Sequence, residues 1–153
     1  FAGGKGINVS RILKRLDIEN TATGFIGGFT GRFIEDVLTS EAISTNFVTV
    51  DQDTRINVKI KADEETEING NGPEVTEGQL QELLSILSSL TADDVVVFAG
   101  SAPSSLGNAI YKELIAATRS TGAQVVCDFE GQTLIDSLEF NPQTTMNWEL
   151  FLA

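Results

Sequence analysis

Ten residues near the start of the chain, Ala2-Gly3-Gly4-Lys5-Gly6-Ile7-Asn8-Val9-Ser10-Arg11, concentrate groups able to hold an anion that also carries hydroxyls. Glycine permits backbone angles and close approaches that a Cβ resists. The run leads into Ile7-Asn8-Val9-Ser10-Arg11-Ile12-Leu13-Lys14-Arg15-Leu16, where Ile12, Leu13 and Leu16 share a helical face. Free N–H groups at such a helix start, with its dipole, favour a phosphate, and Lys5 adds a mobile positive charge beside them. Asn8 falls in the first turn, where its amide can meet a polar ligand. Gly4, Lys5, Gly6 and Asn8 are thus the first candidate site. Gly-Gly pairs also make plain tight turns, so spacing alone leaves both readings open. The run is no Walker A motif, because Gly6 stands where the hydroxyl residue would follow lysine, and it is not Gly-x-Gly-x-x-Gly.

A second address lies at Gly100-Ser101-Ala102-Pro103. It follows Val95-Val96-Val97-Phe98-Ala99, a continuous apolar run of the kind central parallel strands show. Open α/β sheets bind ligands at that end of their strands, so Ser101 is either a ligand contact or a turn-stabilising hydroxyl. Histidine is absent, and acid/base work falls to Asp or Glu. With one cysteine besides, zinc sites built from Cys and His are excluded. Cys127 sits in the apolar run Val125-Val126-Cys127, where burial is expected and a cytoplasmic protein is implied.

A net charge of -12 argues against non-specific nucleic-acid binding. The charge is uneven: residues 1–15 carry Lys5, Arg11, Lys14 and Arg15 and no acid, and only Lys112 and Arg119 lie beyond Lys61. A local positive basin suits a small anionic substrate, although Lys14 and Arg15 read as solvated helix-face charges. At 153 residues, 41% of them hydrophobic, the chain has the length of one ordinary domain, and no apolar run approaches a bilayer span.

The elements that must position these residues alternate. Asp17, just past the first helix, is expected in the left-handed conformation of a C′ residue. Thr21 to Gly27 reads as a short strand, Gly27 to Gly31 as a loop, and Arg32 to Glu41 as a helix with Phe33, Ile34, Val37 and Leu38 on one side. From Asn46 the period becomes two, through Phe47, Val48, Val50, Ile56, Val58, Ile60 and Ile68. That alternation predicts half-exposed antiparallel strands over about residues 46–69, a small sheet whose apolar face needs covering. Arg55, taken by itself, reads as a solvated arginine at a strand end. Thr76 with Gln79 forms a capping-box pattern for a helix carrying Leu80, Leu83, Leu84 and Leu87. A helix from about Asn108 to Arg119 and a strand from Gln124 to Asp128 complete an α/β alternation with a parallel sheet.

The run Ala2 to Arg11 resembles the N-terminal signature of the ribokinase-like PfkB carbohydrate kinases, and its Gly-Gly-Lys-Gly form resembles their hexose-phosphate branch. Three further stretches agree in order: Gly24-Phe25-Ile26-Gly27-Gly28-Phe29-Thr30-Gly31; Asp53 to Lys61 with Glu65 to Gly70; and Ala99-Gly100-Ser101-Ala102-Pro103. The resemblance reaches to about Phe140. It implies a ribokinase-like α/β fold, a partial parallel sheet flanked by helices with a small antiparallel lid. It also implies transfer of the ATP γ-phosphoryl group to a hydroxyl of fructose 1-phosphate, or of tagatose 6-phosphate, with Mg2+ neutralising the phosphates. Gly4, Lys5, Gly6, Asn8, Arg55 and Ser101 would bind the sugar phosphate, Arg55 as a planar bidentate donor to its phosphate. Lid strands in this family contribute to dimer contacts, so a homodimer is implied.

Two stretches depart from the family pattern. Phe129-Glu130-Gly131 stands where small polar residues more often precede the glycine. A nucleotide and metal role would fall to Asn147 and Glu149, but no lysine or proline leads into Asn147, and one residue separates the pair where the pattern has two. The catalytic aspartate of the family lies in a Gly-x-Gly-Asp motif that does not occur in this sequence. Family members are considerably longer, so the expectation is an internal fragment without the first strand and the C-terminal half, inactive alone. The rival from another class is a non-catalytic sugar-phosphate-binding remnant. A nucleotide-dependent oxidoreductase ranks last, since no dinucleotide fingerprint follows a strand.

Overall fold

The computed structural model describes residues 1–61, 65–107, 109–139 and 144–146. The first helix, α1 (Lys5–Arg15), starts where the glycine run ends, with Gly4 as N-cap at φ 129°. It stops at Asp17, whose φ is 57° as the sequence predicts. The Ile18 N–H reaches the Leu13 carbonyl at 3.0 Å and the Asp17 N–H that of Lys14 at 3.1 Å, the paired bonds of a left-handed cap. Of the apolar face, Leu13 is half-buried, while Ile12 and Leu16 are exposed.

The strand β1 (Thr21–Gly27) leads into α2 (Gly28–Ser40), and β2 (Ser44–Val50) returns beside β1 in parallel, Thr21 opposite Ser44 and Gly27 opposite Val50. Residues 46–50 are therefore not part of the antiparallel lid that the period-two pattern predicts. Val48 and Val50 are buried in the main layer while Asn46 and Thr49 stay exposed. Among the described residues β2 pairs only with β1, and an edge strand of a parallel pair shows the same one-sided alternation as a hairpin strand.

The turn before β2 holds Ala42 at φ 55°. Its N–H meets the Thr39 carbonyl and that of Ile43 meets Leu38, both at 3.0 Å, so alanine occupies a cap position that favours glycine. Ala42 is exposed and packs no core. Ala42→Gly is expected to stabilise the protein by about 1 kcal/mol, read as a higher urea midpoint; an unchanged or lower midpoint would speak against strain at this turn.

The antiparallel sheet is confined to β3 (Asn57–Lys61) and β4 (Glu65–Asn69), with Val58 opposite Ile68 and Lys59 opposite Glu67. Lys59 and Glu67 form an ion pair on one face. Ile56, Val58, Ile60 and Ile68 remain exposed.

The helix α3 (Glu77–Ser88) opens with the predicted capping box: the Gln79 N–H donates to Thr76 Oγ1 at 3.3 Å and the Thr76 N–H to Gln79 Oε1 at 2.8 Å. Its Leu80, Leu83 and Leu87 enter the core with Ile110, Tyr111, Leu114, Ile115, Val125, Cys127 and Phe129. β5 (Val95–Ala99), α4 (Ile110–Ser120), β6 (Gln124–Asp128), α5 (Gly131–Leu138) and β7 (Thr144–Met146) follow, the three strands parallel in the order β5-β6-β7. The apolar run Val95–Ala99 predicts a central strand, yet among the described residues β5 is an edge and Val95 is 57% exposed. A cleft of about 280 Å³ separates it from β1, with Val96 to Ala99 on one wall and Thr23, Gly24 and Phe25 on the other.

Candidate functional site

Three connecting segments converge on the carboxyl end of β5. The first is residues 51–55, which leave β2 and fold back over the junction of β1 and α2. Thr54 fastens them: its N–H donates to the Gly27 carbonyl at 2.9 Å, its Oγ1 accepts from the Gly27 N–H at 2.9 Å, and its carbonyl accepts from Thr30 Oγ1 at 2.7 Å. Asp53 Oδ1 accepts from the Phe29 N–H at 3.0 Å. The seat exists because Gly27 and Gly28 lack side chains. A Cβ on Gly27 would stand 2.1 Å from the Gln52 carbonyl oxygen, and one on Gly28 1.5 Å from Asp53 Oδ1. Arg55, the next residue, extends its guanidinium Nη2 to Ser101 Oγ at 2.9 Å.

The second segment is the turn after β5. Gly100 takes φ 97°, and its carbonyl accepts the Tyr111 hydroxyl at 3.1 Å. The Tyr111 ring packs against Phe129 at 4.3 Å and meets Phe98 edge-on at 6.5 Å. Burial pushes its phenol up to about 12, so it donates as a neutral group. Tyr111 thereby holds the turn that presents Ser101, a role the sequence reading missed. Nothing within α4 marks it, because its partner is a carbonyl in the turn after β5, outside the helix.

The third is the start of α1. Gly6 lies against β5, where a Cβ would come 4.0 Å from the Ala99 carbonyl oxygen. Lys5 forms an ion pair with Glu130 and stands 3.9 Å from Asp128 Oδ2, at the carboxyl end of β6. Gly6, Arg55 and Ser101 line the cleft together with Thr23, Thr54 and Tyr111. Lys5 stands beside it in sequence, and Gly4 is the exposed cap of the same helix. Asn8 is exposed and lines a separate shallow apolar depression with Val9, Ile12 and Leu13, so the structure does not bring it to the cleft. Asn147 and Glu149 lie outside the described residues, as do Trp148 and Phe151.

The basic basin of residues 1–15 is not open as its local sequence suggests. Arg11 donates to both carboxylate oxygens of Glu41, at 2.7 and 2.9 Å, and to the Ala2 carbonyl at 2.6 Å. This pairing holds the Glu41 carboxyl below the usual carboxylate range. Lys14 lies 3.9 Å from Glu19. Arg11 thus clamps the start of the chain to the turn after α2. Cys127 is buried, and burial pushes its thiol up to about 11. Among the described residues no group of three or more Cys, Asp or Glu is placed to hold a metal ion. No described helix is long and apolar enough to cross a membrane.

The pfkB family carbohydrate kinase profile matches residues 1–146. The 1-phosphofructokinase of Bacillus subtilis (strain 168) is 46% identical over 142 residues, which are 93% of this chain and 47% of that protein. The D-tagatose-1-phosphate kinase of Bacillus licheniformis is 37% identical over 139 residues, 91% of this chain and 46% of that protein. A solved Staphylococcus aureus structure assigned as a phosphofructokinase superposes with a TM-score of 0.85 at 46% identity, over 96% of this chain and 53% of that one. The chain spans about half the length of these relatives. Its fold is ribokinase-like α/β, a parallel sheet with flanking helices and a small antiparallel sheet. The profile match runs through the glycine-rich start, the Arg55 segment and the Ser101 turn alike, and the chain belongs to the pfkB family of carbohydrate kinases.

Proposed function

We propose that the protein carrying this chain is an ATP-dependent sugar-phosphate kinase acting on fructose 1-phosphate, and that this chain supplies the sugar-phosphate site. The observation that carries the reading is the Arg55 contact with Ser101 in the cleft, 2.9 Å long, with Gly6 lining the same cleft. A guanidinium fork suits two phosphate oxygens, while a serine hydroxyl and glycine backbone suit sugar hydroxyls. Lys5 adds a point charge at the start of α1, where helix N–H groups already favour an anion.

ATP would be the phosphoryl donor, with Mg2+ neutralising charge on the transferred group when bound. Asn147 and Glu149 are the residues proposed for that side. No residue of this chain is assigned the proton-accepting role, since the Gly-x-Gly-Asp motif of the family does not occur in it. The exposed face of Ile56, Val58, Ile60 and Ile68 supports self-association through the lid, as a homodimer. The buried thiol of Cys127 fits a cytoplasmic protein.

A tagatose phosphate is the second substrate reading, favoured by the 37% identity to the B. licheniformis kinase. Calorimetric titration of the protein with fructose 1-phosphate, tagatose 1-phosphate and tagatose 6-phosphate separates them. Fructose 1-phosphate is expected to bind tightest, and Lys5→Ala to weaken it about tenfold. Unchanged affinity would remove Lys5 from the site. No saturable binding of any ketohexose phosphate would overturn the function.

A further inference from the structure

We propose that Glu130 sets the affinity of this site, as a carboxylate that occupies Lys5 until an anion takes its place. The inference rests on the sugar-phosphate reading of Lys5. Lys5 is the first residue of α1, and the first turn of that helix contains no acid. Its charge is met from far away in sequence: Glu130, 125 residues on, accepts from the ammonium, and Asp128 stands 3.9 Å off. Glu130 occupies the ammonium that the proposed function offers to the phosphate, so its carboxylate stands in for the ligand anion.

The backbone beneath Glu130 is held by packing, whereas its side chain is tied to Lys5 and not to its own helix. Phe129 is buried and packed on Tyr111, and Gly131 turns at φ 57° into α5. Glu130 is the N-cap residue of α5, yet its side chain makes no capping bond there. Its side chain is 54% exposed and that of Lys5 38%, so the pair is solvated and gives way without a large penalty. A phosphate dianion brings more charge to Lys5 than one carboxylate and displaces it. Asp128 stays beside the ammonium, and the displaced Glu130 is left as a like charge next to the bound phosphate. Glu130 therefore weakens binding of every anion at Lys5, and a neutral or small residue there relieves this.

The test uses the protein with Glu130→Gln, Glu130→Ser, Lys5→Met and the two double variants, titrated with fructose 1-phosphate in a calorimeter. Either Glu130 substitution is expected to tighten binding about two- to fivefold, and to do nothing in the Lys5→Met background. Unchanged or weaker binding in both variants overturns the proposal, the weaker case marking Glu130 as a ligand contact. The same gain in the Lys5→Met background also overturns it, because the effect would not pass through Lys5. Should fructose 1-phosphate bind no variant, the kinase reading fails separately. The contact is then read by the rate of Lys5 acetylation, several-fold faster in Glu130→Gln if the carboxylate occupies the ammonium and unchanged if it does not.

Discussion

Arg55→Ala is expected to weaken fructose 1-phosphate binding about a hundredfold, the loss of two charge-assisted hydrogen bonds to phosphate oxygens. Thermal stability should hardly move. Arg55 is exposed, and its hydrogen bond among the described residues is to Ser101 Oγ, an interaction that water can replace. Arg55→Lys keeps the charge and loses the planar fork, so it should fall between, about tenfold weaker than the native residue. Titration calorimetry with a parallel thermal melt checks all three. A lysine variant that binds as well as arginine would mean that charge alone holds the phosphate. An alanine variant that loses stability along with affinity would mean that Arg55 acts through the fold, with no direct contact.

What could be read from the sequence was what neighbouring residues decide among themselves. Asp17 stands where the first helix must turn left-handed, and Thr76 and Gln79 cap α3 within one turn of each other. The strand over Val95–Ala99 is likewise carried by its own apolar run. What failed depended on residues distant in the chain. Period two over residues 46–50 reports one buried face, and whether the partner is antiparallel β3 or parallel β1 lies outside the stretch itself. The basic start of the chain reads as an open basin until Glu41 and Glu130 arrive from 30 and 125 positions away. Tyr111 carries no signal in α4, since its hydroxyl meets the Gly100 carbonyl in the turn after β5. The family resemblance named Arg55 and Ser101, and the structure adds that they touch each other.

The device that aims Arg55 is testable at Gly27, where Gly27→Ala should cost about 3 kcal/mol of stability and most of the sugar-phosphate affinity. The obstacle is backbone: a Cβ would lie 2.1 Å from the Gln52 carbonyl oxygen and 2.4 Å from that of Val50. No side-chain rotation relieves such a contact, and residues 50–52 have to shift. Conformation is not the cause, because φ of -160° at Gly27 is ordinary extended backbone. Moving the segment strains the Thr54 bonds to Gly27 and Thr30, so Arg55 leaves Ser101. Thr54→Val separates the two effects, since it removes the hydroxyl that accepts from Gly27 and keeps the backbone bond; it should cost about 1 kcal/mol and a smaller share of affinity. Urea unfolding read beside calorimetric titration compares the variants. If Gly27→Ala loses stability yet binds fructose 1-phosphate in full, Arg55 reaches its ligand without the glycine seat, and the seat serves the fold alone.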